Sequence, residues 1–283
     1  MATSPTVTHH QENRGAPSSL ADEFTYRSVV ITGGGSGIGA ATARLLAARG
    51  AHVVVLGPDK EPLSEVASET RGVAVVGDAA ISDDVDAAVR AAVDATGTLD
   101  ALISCAGISP FGSATDTTDE LWAKVGHVNL DTAFVAARQC LPALIESNGS
   151  IVLVASLAGL LSAPNAVAYT TTKHALIGLT RSLAGDYSAQ GVRTNAVCPG
   201  FVRTAMSDSV MTQLGGLDSS EALDDAYVSA TRFTPLRRPA TPSEIAEVIA
   251  FLSSPRSAVI TGAVITADGG VSAIETGSIA AFA

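Results

Sequence analysis

The sequence predicts a single α/β domain in which a parallel sheet of about seven strands carries helices on both faces. Short apolar runs that suit buried strands alternate along the chain with alanine-rich helical segments, the order that builds a parallel sheet. Hydrophobic residues make up 47% of the 283 residues but aromatics only 4%, so the core is expected to be Val, Ile, Leu and Ala, as in sheets buried on both sides. The alternation is regular over the whole length, which favours one large unit over two small ones.

The first strand, Val29-Val30-Ile31, runs into Thr32-Gly33-Gly34-Gly35-Ser36-Gly37-Ile38-Gly39 and then a helix from Ala40 to Ala48. A tight glycine turn opening a helix brings backbone N–H groups and the positive end of the helix dipole to one place, where a pyrophosphate can sit without a cationic side chain. Gly37 lets a cofactor approach the backbone and Gly39 lets the helix pack on the strand. Val53 to Leu56 is the second strand. At its end an acidic side chain would hold a ribose 2′-hydroxyl and a basic one a 2′-phosphate. This chain has Gly57-Pro58-Asp59-Lys60 there. Asp59 either reaches the ribose or, with Pro58, starts the helix that runs to about Glu69.

Val73 to Val76 is the third strand and Gly77-Asp78 its end. Asp78 either reaches an adenine edge or is a plain turn residue. A helix from Ser82 to Thr96 follows, with Asp83 and Asp84 favouring its first turn. Asp100 to Ser104 is the fourth strand, leading to Cys105-Ala106-Gly107, whose small residues let a ring lie against backbone. From Thr117 to about Glu146 the pattern is helical and contains Asn129, with Thr115, Asp116 and Thr117 as candidate caps and Pro142 kinking or shortening the last turns. Ser150 to Ala155 is the fifth strand, ending at Ser156; a helix from Ala168 to Ala189 carries Tyr169 and Lys173; Gly191 to Cys198 is the sixth strand, closed by Pro199-Gly200. Between Phe201 and Arg238 the pattern breaks down, so residues 201–238 read as a mobile loop over a substrate. Thr241-Pro242-Ser243-Glu244 opens a helix to about Ser253, and Ala263 to Thr266 is the last strand. Residues 1–23 read as a disordered tail, 24–270 as the domain and 271–283 as a C-terminal tail.

Composition excludes several functions. The net charge of −11, with no basic stripe, argues against nucleic acid or an anionic membrane surface as partner. The apolar stretch Ile151 to Ala163 is interrupted by Ser156, Gly159 and Ser162 and is too short to cross a bilayer of roughly 30 Å. No secretory signal is read at the start. Cys105, Cys140 and Cys198 are far apart without metal spacing, which predicts reduced thiols in the cytoplasm and no metal site.

Tyr169 and Lys173 are four apart and share a helix face. A phenol with its usual pKa near 10 is a poor base. An ammonium about 4 Å away contributes about 4 kcal/mol at an effective dielectric of 20, enough to change the phenol's proton affinity about a thousandfold. A nicotinamide cation nearby would push the same way. Ser156, at a strand's carboxyl end, could hydrogen-bond a substrate oxygen while the phenol exchanges that oxygen's proton. Asn129 is an amide inside a helix, where it is a poor helix former, and could hold a water linking Lys173 to solvent. His127 and His174 flank the group, and neither has the acid partner a nucleophilic triad needs. Ile108, Phe111, Leu157, Leu160, Val202 and Met206, expected around Ser156 and Tyr169, carry no charge, which predicts a small to medium substrate that is largely apolar near its reacting carbon.

Thr32-Gly33-x-x-x-Gly37-Ile38-Gly39, Asn129, Ser156, Tyr169-x-x-x-Lys173 and Pro199-Gly200-x-x-x-Thr204 occur in one order and spacing, and from Tyr26 to Gly270 the chain resembles the short-chain dehydrogenase/reductase family. The resemblance implies a single-domain Rossmann-type, doubly wound sheet that uses NAD or NADP to interconvert a secondary alcohol and a ketone. Asn129, Ser156, Tyr169 and Lys173 would be catalytic. Gly33, Gly35, Ser36, Gly37, Ile38, Gly39, Gly57, Asp59, Asp78, Ala106 and Gly107 would bind the cofactor, with Tyr169, Lys173, Pro199, Gly200, Val202 and Thr204 around the nicotinamide. Subunits would pair through long helices into a dimer or tetramer. Two departures stand out: Ser104-Cys105 replaces the usual Asn-Asn after the fourth strand, and Gly57-Pro58 leaves no acid at the ribose position. Ser36 in place of a basic residue favours NAD. The rival readings are a catalytically inactive nicotinamide-binding regulatory protein on the same fold, and an epimerase, which would need a larger C-terminal substrate domain.

Overall fold

The computed structural model describes residues 19–215 and 220–274. Among them, seven strands form one parallel sheet: β1 (Ser28–Thr32), β2 (His52–Gly57), β3 (Val73–Val76), β4 (Ala101–Ser104), β5 (Ser150–Val154), β6 (Arg193–Pro199) and β7 (Val264–Ala267). Their order is β3-β2-β1-β4-β5-β6-β7. The chain therefore reverses its direction of travel between β1 and β4, and that switch point opens a crevice at the carboxyl ends of the strands. In register, Val30 lies beside Val54 and Leu102, and Ile31 beside Val55 and Ile103.

Alternate strand residues face opposite sides, and each side has its own apolar core. Val29, Ile31, Val53, Val55 and Ile103 pack with α1 (Gly37–Ala48), α2 (Lys60–Thr70) and α9 (Pro242–Ser253). Val30, Val54, Leu56, Leu102 and Ile151 pack with α3 (Ser82–Thr96), α5 (Thr132–Ser147) and α6 (Val167–Tyr187). The long apolar runs of the sequence are strands buried on both faces. The start of α9 is closed by a capping box in which Thr241 accepts from the Glu244 N–H and Glu244 accepts from the Thr241 N–H.

Three expectations need correction. The helical pattern from Thr117 to Glu146 divides into α4 (Asp119–Gly126), a π-helical turn (His127–Asp131) and α5. Thr118 supplies the cap, accepting from the Leu121 N–H, in place of Thr115, Asp116 or Thr117. Pro142 lies inside α5 without ending it, because the helix runs on to Ser147. The segment 201–238, expected to be a loop, holds α7 (Ala205–Gly215) and α8 (Ser220–Ala230). Met211 and Tyr227 are buried, and the Tyr227 hydroxyl donates to Asp208 at 2.8 Å. So few apolar anchors leave no helical period to read in the sequence. At the start, residues 1–18 of the expected tail lie outside the described residues, while its last residues have defined places in the fold. Leu20–Asp22 form a 3₁₀ turn, and buried Glu23 pairs with Arg256 at 2.6 Å and Arg49 at 3.4 Å. Of the C-terminal tail, Val271–Ala273 form another such turn, and residues 275–283 lie outside the described residues. Among the described residues no helix is long and apolar enough to cross a membrane.

Candidate active site

The glycine turn between β1 and α1 is shaped by close backbone contacts. Gly33 and Gly37 have left-handed φ of 62° and 51°. A Cβ on Gly33 would lie 2.8 Å from the Ala106 N, and one on Gly39 would lie 2.2 Å from the Gly33 carbonyl oxygen. The Ser36 side chain makes no capping hydrogen bond, and the first turn of α1 holds no acidic residue. No side chain of the turn therefore caps the first N–H groups of the helix. The segment after β6 folds over the turn: Thr204 comes within 3.4 Å of where a Gly37 Cβ would stand, and Arg203 N–H to Ala240 O (2.9 Å) and Ala240 N–H to Phe201 O (2.8 Å) hold it to the start of α9. The resulting cleft of about 200 Å³ is lined by Gly33, Ser36, Gly37, Ile38, Gly39, Ala106, Gly107, Ser156, Tyr169, Lys173, Pro199, Gly200, Val202 and Thr204.

Gly35, Gly57, Asp59 and Asp78 do not line that cleft. Gly35 packs against α2, where a Cβ would lie 3.2 Å from Pro62. Asp59 is exposed at the N-cap position of α2, and its carboxylate makes no capping hydrogen bond. Asp78 accepts from the Ala80 N–H at 2.8 Å and lies 2.8 Å from His127 Nε2. Burial pushes its carboxyl up, but these two partners hold it below the usual range. His127 thus has an acid partner after all, with Asp131 a further 3.8 Å contact at Nδ1. Strand β3 and the π-turn meet only in the folded chain. His174 lies apart, bonded to the Thr170 carbonyl.

The four residues expected to be catalytic converge beside the cleft. Ser156 follows β5 and accepts from the Ala158 N–H at 3.1 Å, capping a 3₁₀ turn, Leu157–Gly159. Tyr169 and Lys173 project from the first turns of α6. Lys173 is 5% exposed, and its ammonium donates to the Val154 carbonyl at 2.9 Å and lies 5.6 Å from the Tyr169 ring centroid. Burial brings this ammonium down to about 8. Burial pushes the Tyr169 phenol up, while a hydrogen bond with Ser156 pulls the other way. Burial is the largest influence on the phenol, and the Lys173 ammonium beside its ring is held by the Val154 carbonyl. The Asn129 amide donates to the Ile108 carbonyl (3.0 Å) and the Thr172 hydroxyl (3.2 Å) and accepts from the Ile108 N–H (2.7 Å). Both amide hydrogens are taken by protein partners, so one oxygen lone pair remains for the water relay expected of Asn129.

A second cavity, of about 340 Å³, adjoins the first and shares Ser156 and Tyr169 with it. Of the apolar residues expected around the reacting group, Phe111, Leu157 and Met206 line this cavity, Val202 lines the cleft, and Ile108 and Leu160 line neither. A family model described as enoyl-(acyl carrier protein) reductase matches residues 33–272. The chain is 43% identical over 260 residues to the protein MoaE of Klebsiella aerogenes, covering 90% of this chain and 98% of that protein. It is 38% identical over 263 residues to 2-(S)-hydroxypropyl-CoM dehydrogenase 3 of Xanthobacter autotrophicus, covering 90% and 100%. The chain belongs to the short-chain dehydrogenase/reductase family.

Solved structures of two other dehydrogenases or reductases share the fold: Thermoplasma acidophilum aldohexose dehydrogenase, with a TM-score of 0.84 at 29% identity over 91% of this chain and 98% of that one, and levodione reductase, with 0.83 at 31% over 89% and 100%. As a short-chain dehydrogenase/reductase the chain is an oxidoreductase, of a family that generally uses NAD or NADP. Of the departure noted after the fourth strand, Cys105 lines the cleft, its thiol pushed up to about 12 by burial, and Ser104 is buried at the end of β4. The structure also brings in two groups the sequence did not single out. Thr172 and the Val154 carbonyl hold Asn129 and Lys173. Thr172 could have been found from its place beside Lys173 on α6, whereas a backbone carbonyl leaves no trace in a sequence.

Proposed function

We propose that this short-chain dehydrogenase/reductase interconverts a secondary alcohol and a ketone with NAD or NADP, Tyr169 serving as general acid and base. The observation that carries this reading is that Ser156 and Tyr169 line the glycine-bounded cleft and the apolar cavity at once. A carbonyl at that junction meets two hydroxyls on one side and the cleft on the other. The residues present suit a dinucleotide: Gly33, Ser36, Gly37, Ile38 and Gly39 would hold its pyrophosphate, Lys173 its nicotinamide ribose, and Ala106, Gly107, Pro199, Gly200, Val202 and Thr204 its nicotinamide. When bound, the nicotinamide would supply or take up the hydride. Tyr169 gives its phenolic proton to the substrate oxygen in reduction and takes it back in oxidation. Ser156 hydrogen-bonds that oxygen in both directions. Lys173 offsets charge on the phenol, and Asn129 fixes the Ile108 segment against α6.

NAD is the preferred cofactor in this reading. Ser36 brings no positive charge to the turn, and a 2′-phosphate at the end of β2 would meet the exposed Asp59, with only Lys60 to compensate. We place the protein in the cytoplasm. It assembles as a dimer or tetramer, for which the exposed Trp122 and Phe134 of α4 and α5 offer apolar surface. The catalytically inactive alternative is disfavoured by the intact Ser156, Tyr169, Lys173 and Asn129 group. Turnover of secondary alcohols and ketones with each cofactor, followed by absorbance of the reduced nicotinamide, tests the proposal. Tyr169→Phe should keep cofactor binding and lose turnover by about 10²–10⁴-fold. Comparable activity of the variant refutes the role of Tyr169. Absence of turnover in a wild type that binds cofactor points to the regulatory alternative.

A further inference from the structure

The apolar cavity carries a statement about substrate charge. Its walls are Phe111, Leu157, Leu161, Met206, Val210 and Met211, and its polar groups are the hydroxyls of Ser109, Ser162 and Ser207 together with Ser156 and Tyr169. No Asp, Glu, His, Lys or Arg lines it among the described residues. Lys173 is turned to the Val154 carbonyl. Arg203, in the segment leading to α7, is committed elsewhere: its Nη1 lies 2.5 Å from Asp224 Oδ1 and its guanidinium lies over the Tyr227 ring. Residues 213–221 include Asp218 and Glu221 but no Lys or Arg. The rim is apolar as well, with Leu161, Phe201 and Met206 each about half exposed.

From this we infer that the substrate taken at Ser156 and Tyr169 is an uncharged ketone or secondary alcohol whose hydrocarbon body fills the cavity and reaches its rim, and that carboxylate- or phosphate-bearing carbonyl compounds are excluded. The inference deepens the proposed function and rests on it. An anion entering the cavity sheds its hydration and finds neutral hydroxyls in return, with no counter-charge to replace the lost water. The net charge of −11 gives an approaching anion no long-range attraction to offset that loss. A neutral body loses nothing of this kind and gains by burying apolar surface. At about 340 Å³ the cavity lies toward the small end of ligand sites, which run from roughly 300 to 1,000 Å³.

The test compares methyl 4-acetylbenzoate with 4-acetylbenzoate, which differ in a carboxylate remote from the ketone. With wild-type enzyme and reduced cofactor, kcat/KM for the ester should exceed that for the acid at least about tenfold. Ser162→Arg, at an exposed cavity position away from the reacting group, should shift the ratio toward the acid by about tenfold while cofactor affinity stays the same. Val210→Lys makes the same measurement from α7, so a folding defect in one variant leaves the other to decide. Calorimetric titration of both ketones into cofactor-loaded Tyr169→Phe enzyme reads the preference without turnover, and the ester should bind more tightly. An acid equal to or better than the ester in binding or turnover overturns the inference and leaves the proposed reaction standing. Tighter ester binding with no turnover of either ketone in the wild type overturns the proposed reaction instead.

Discussion

Replacing Lys173 by Met removes a buried ammonium, and the pH dependence of stability should report its cost. Burial lowers this lysine from 10.5 to about 8, a difference worth about 3 kcal/mol at about 1.4 kcal/mol per tenfold in proton affinity. Below pH 8 the lysine is charged in both states, and the folded protein bears the full cost of burying it. Between about 8 and 10.5 the unfolded chain binds more protons than the folded one, so the wild type gains stability as pH rises. From pH 7 to 9.5 about 2 kcal/mol of the cost should be relieved. The Met variant lacks this contribution and shares every other titrating group. It also leaves the Val154 carbonyl without its donor, at a cost of about 1–3 kcal/mol, so at pH 7 the two proteins should differ by less than about 2 kcal/mol. Urea unfolding of both, followed by far-ultraviolet circular dichroism at equal protein concentration from pH 7 to 9.5, makes the measurement. Parallel stability curves would show that the Lys173 ammonium is not destabilised by burial, and the reasoning about the site's electrostatics would fall with it.

Gly39→Ala should abolish cofactor binding and lower stability by about 1–3 kcal/mol, because its Cβ would press on the Gly33 carbonyl, a backbone atom that no rotamer change can move; a fully folded variant with wild-type cofactor affinity would contradict this. Asp59→Ala should bring kcat/KM for NADP closer to that for NAD, by about tenfold if the carboxylate faces the ribose; a ratio that does not move would show that Asp59 only marks the start of α2. Tyr227→Phe deprives Asp208 of its donor and loosens α7. KM should rise severalfold with kcat little changed, and an unaltered KM would mean that α7 is held by packing alone.

Much of the fold was legible because strands buried on both faces read as continuous apolar runs. Val73 to Val76 and Ser82 to Thr96 have the same limits in sequence and structure. The capped start of α9 was legible for a different reason, since Thr241, Pro242 and Glu244 form a local device whose geometry needs nothing from the rest of the chain. The helices of 205–215 and 220–230 were not legible, because they depend on a few distant anchors rather than on a period. The π-turn at Asn129 was missed for a related cause: its extra residue is stabilised by the Ile108 backbone and Thr172, which come from other elements.

By itself the sequence determined the composition of the sheet, the glycine turn and the side chains available for proton transfer, since each depends on local stereochemistry or on residue type. Only the tertiary structure decided their protonation, their partners and the shape of the space they share. Burial pushes the Tyr169 phenol up and the Val154 carbonyl holds the Lys173 ammonium, and neither is visible from a four-residue spacing. His127 has its acid because the carboxyl end of β3 lies against the π-turn. The uncharged cavity arises in the same way, since α7 and the segment after β5 bring apolar walls together while Asp224 draws Arg203 aside; electrostatics and cavity walls are properties of neighbours in space, which a chain acquires only by folding.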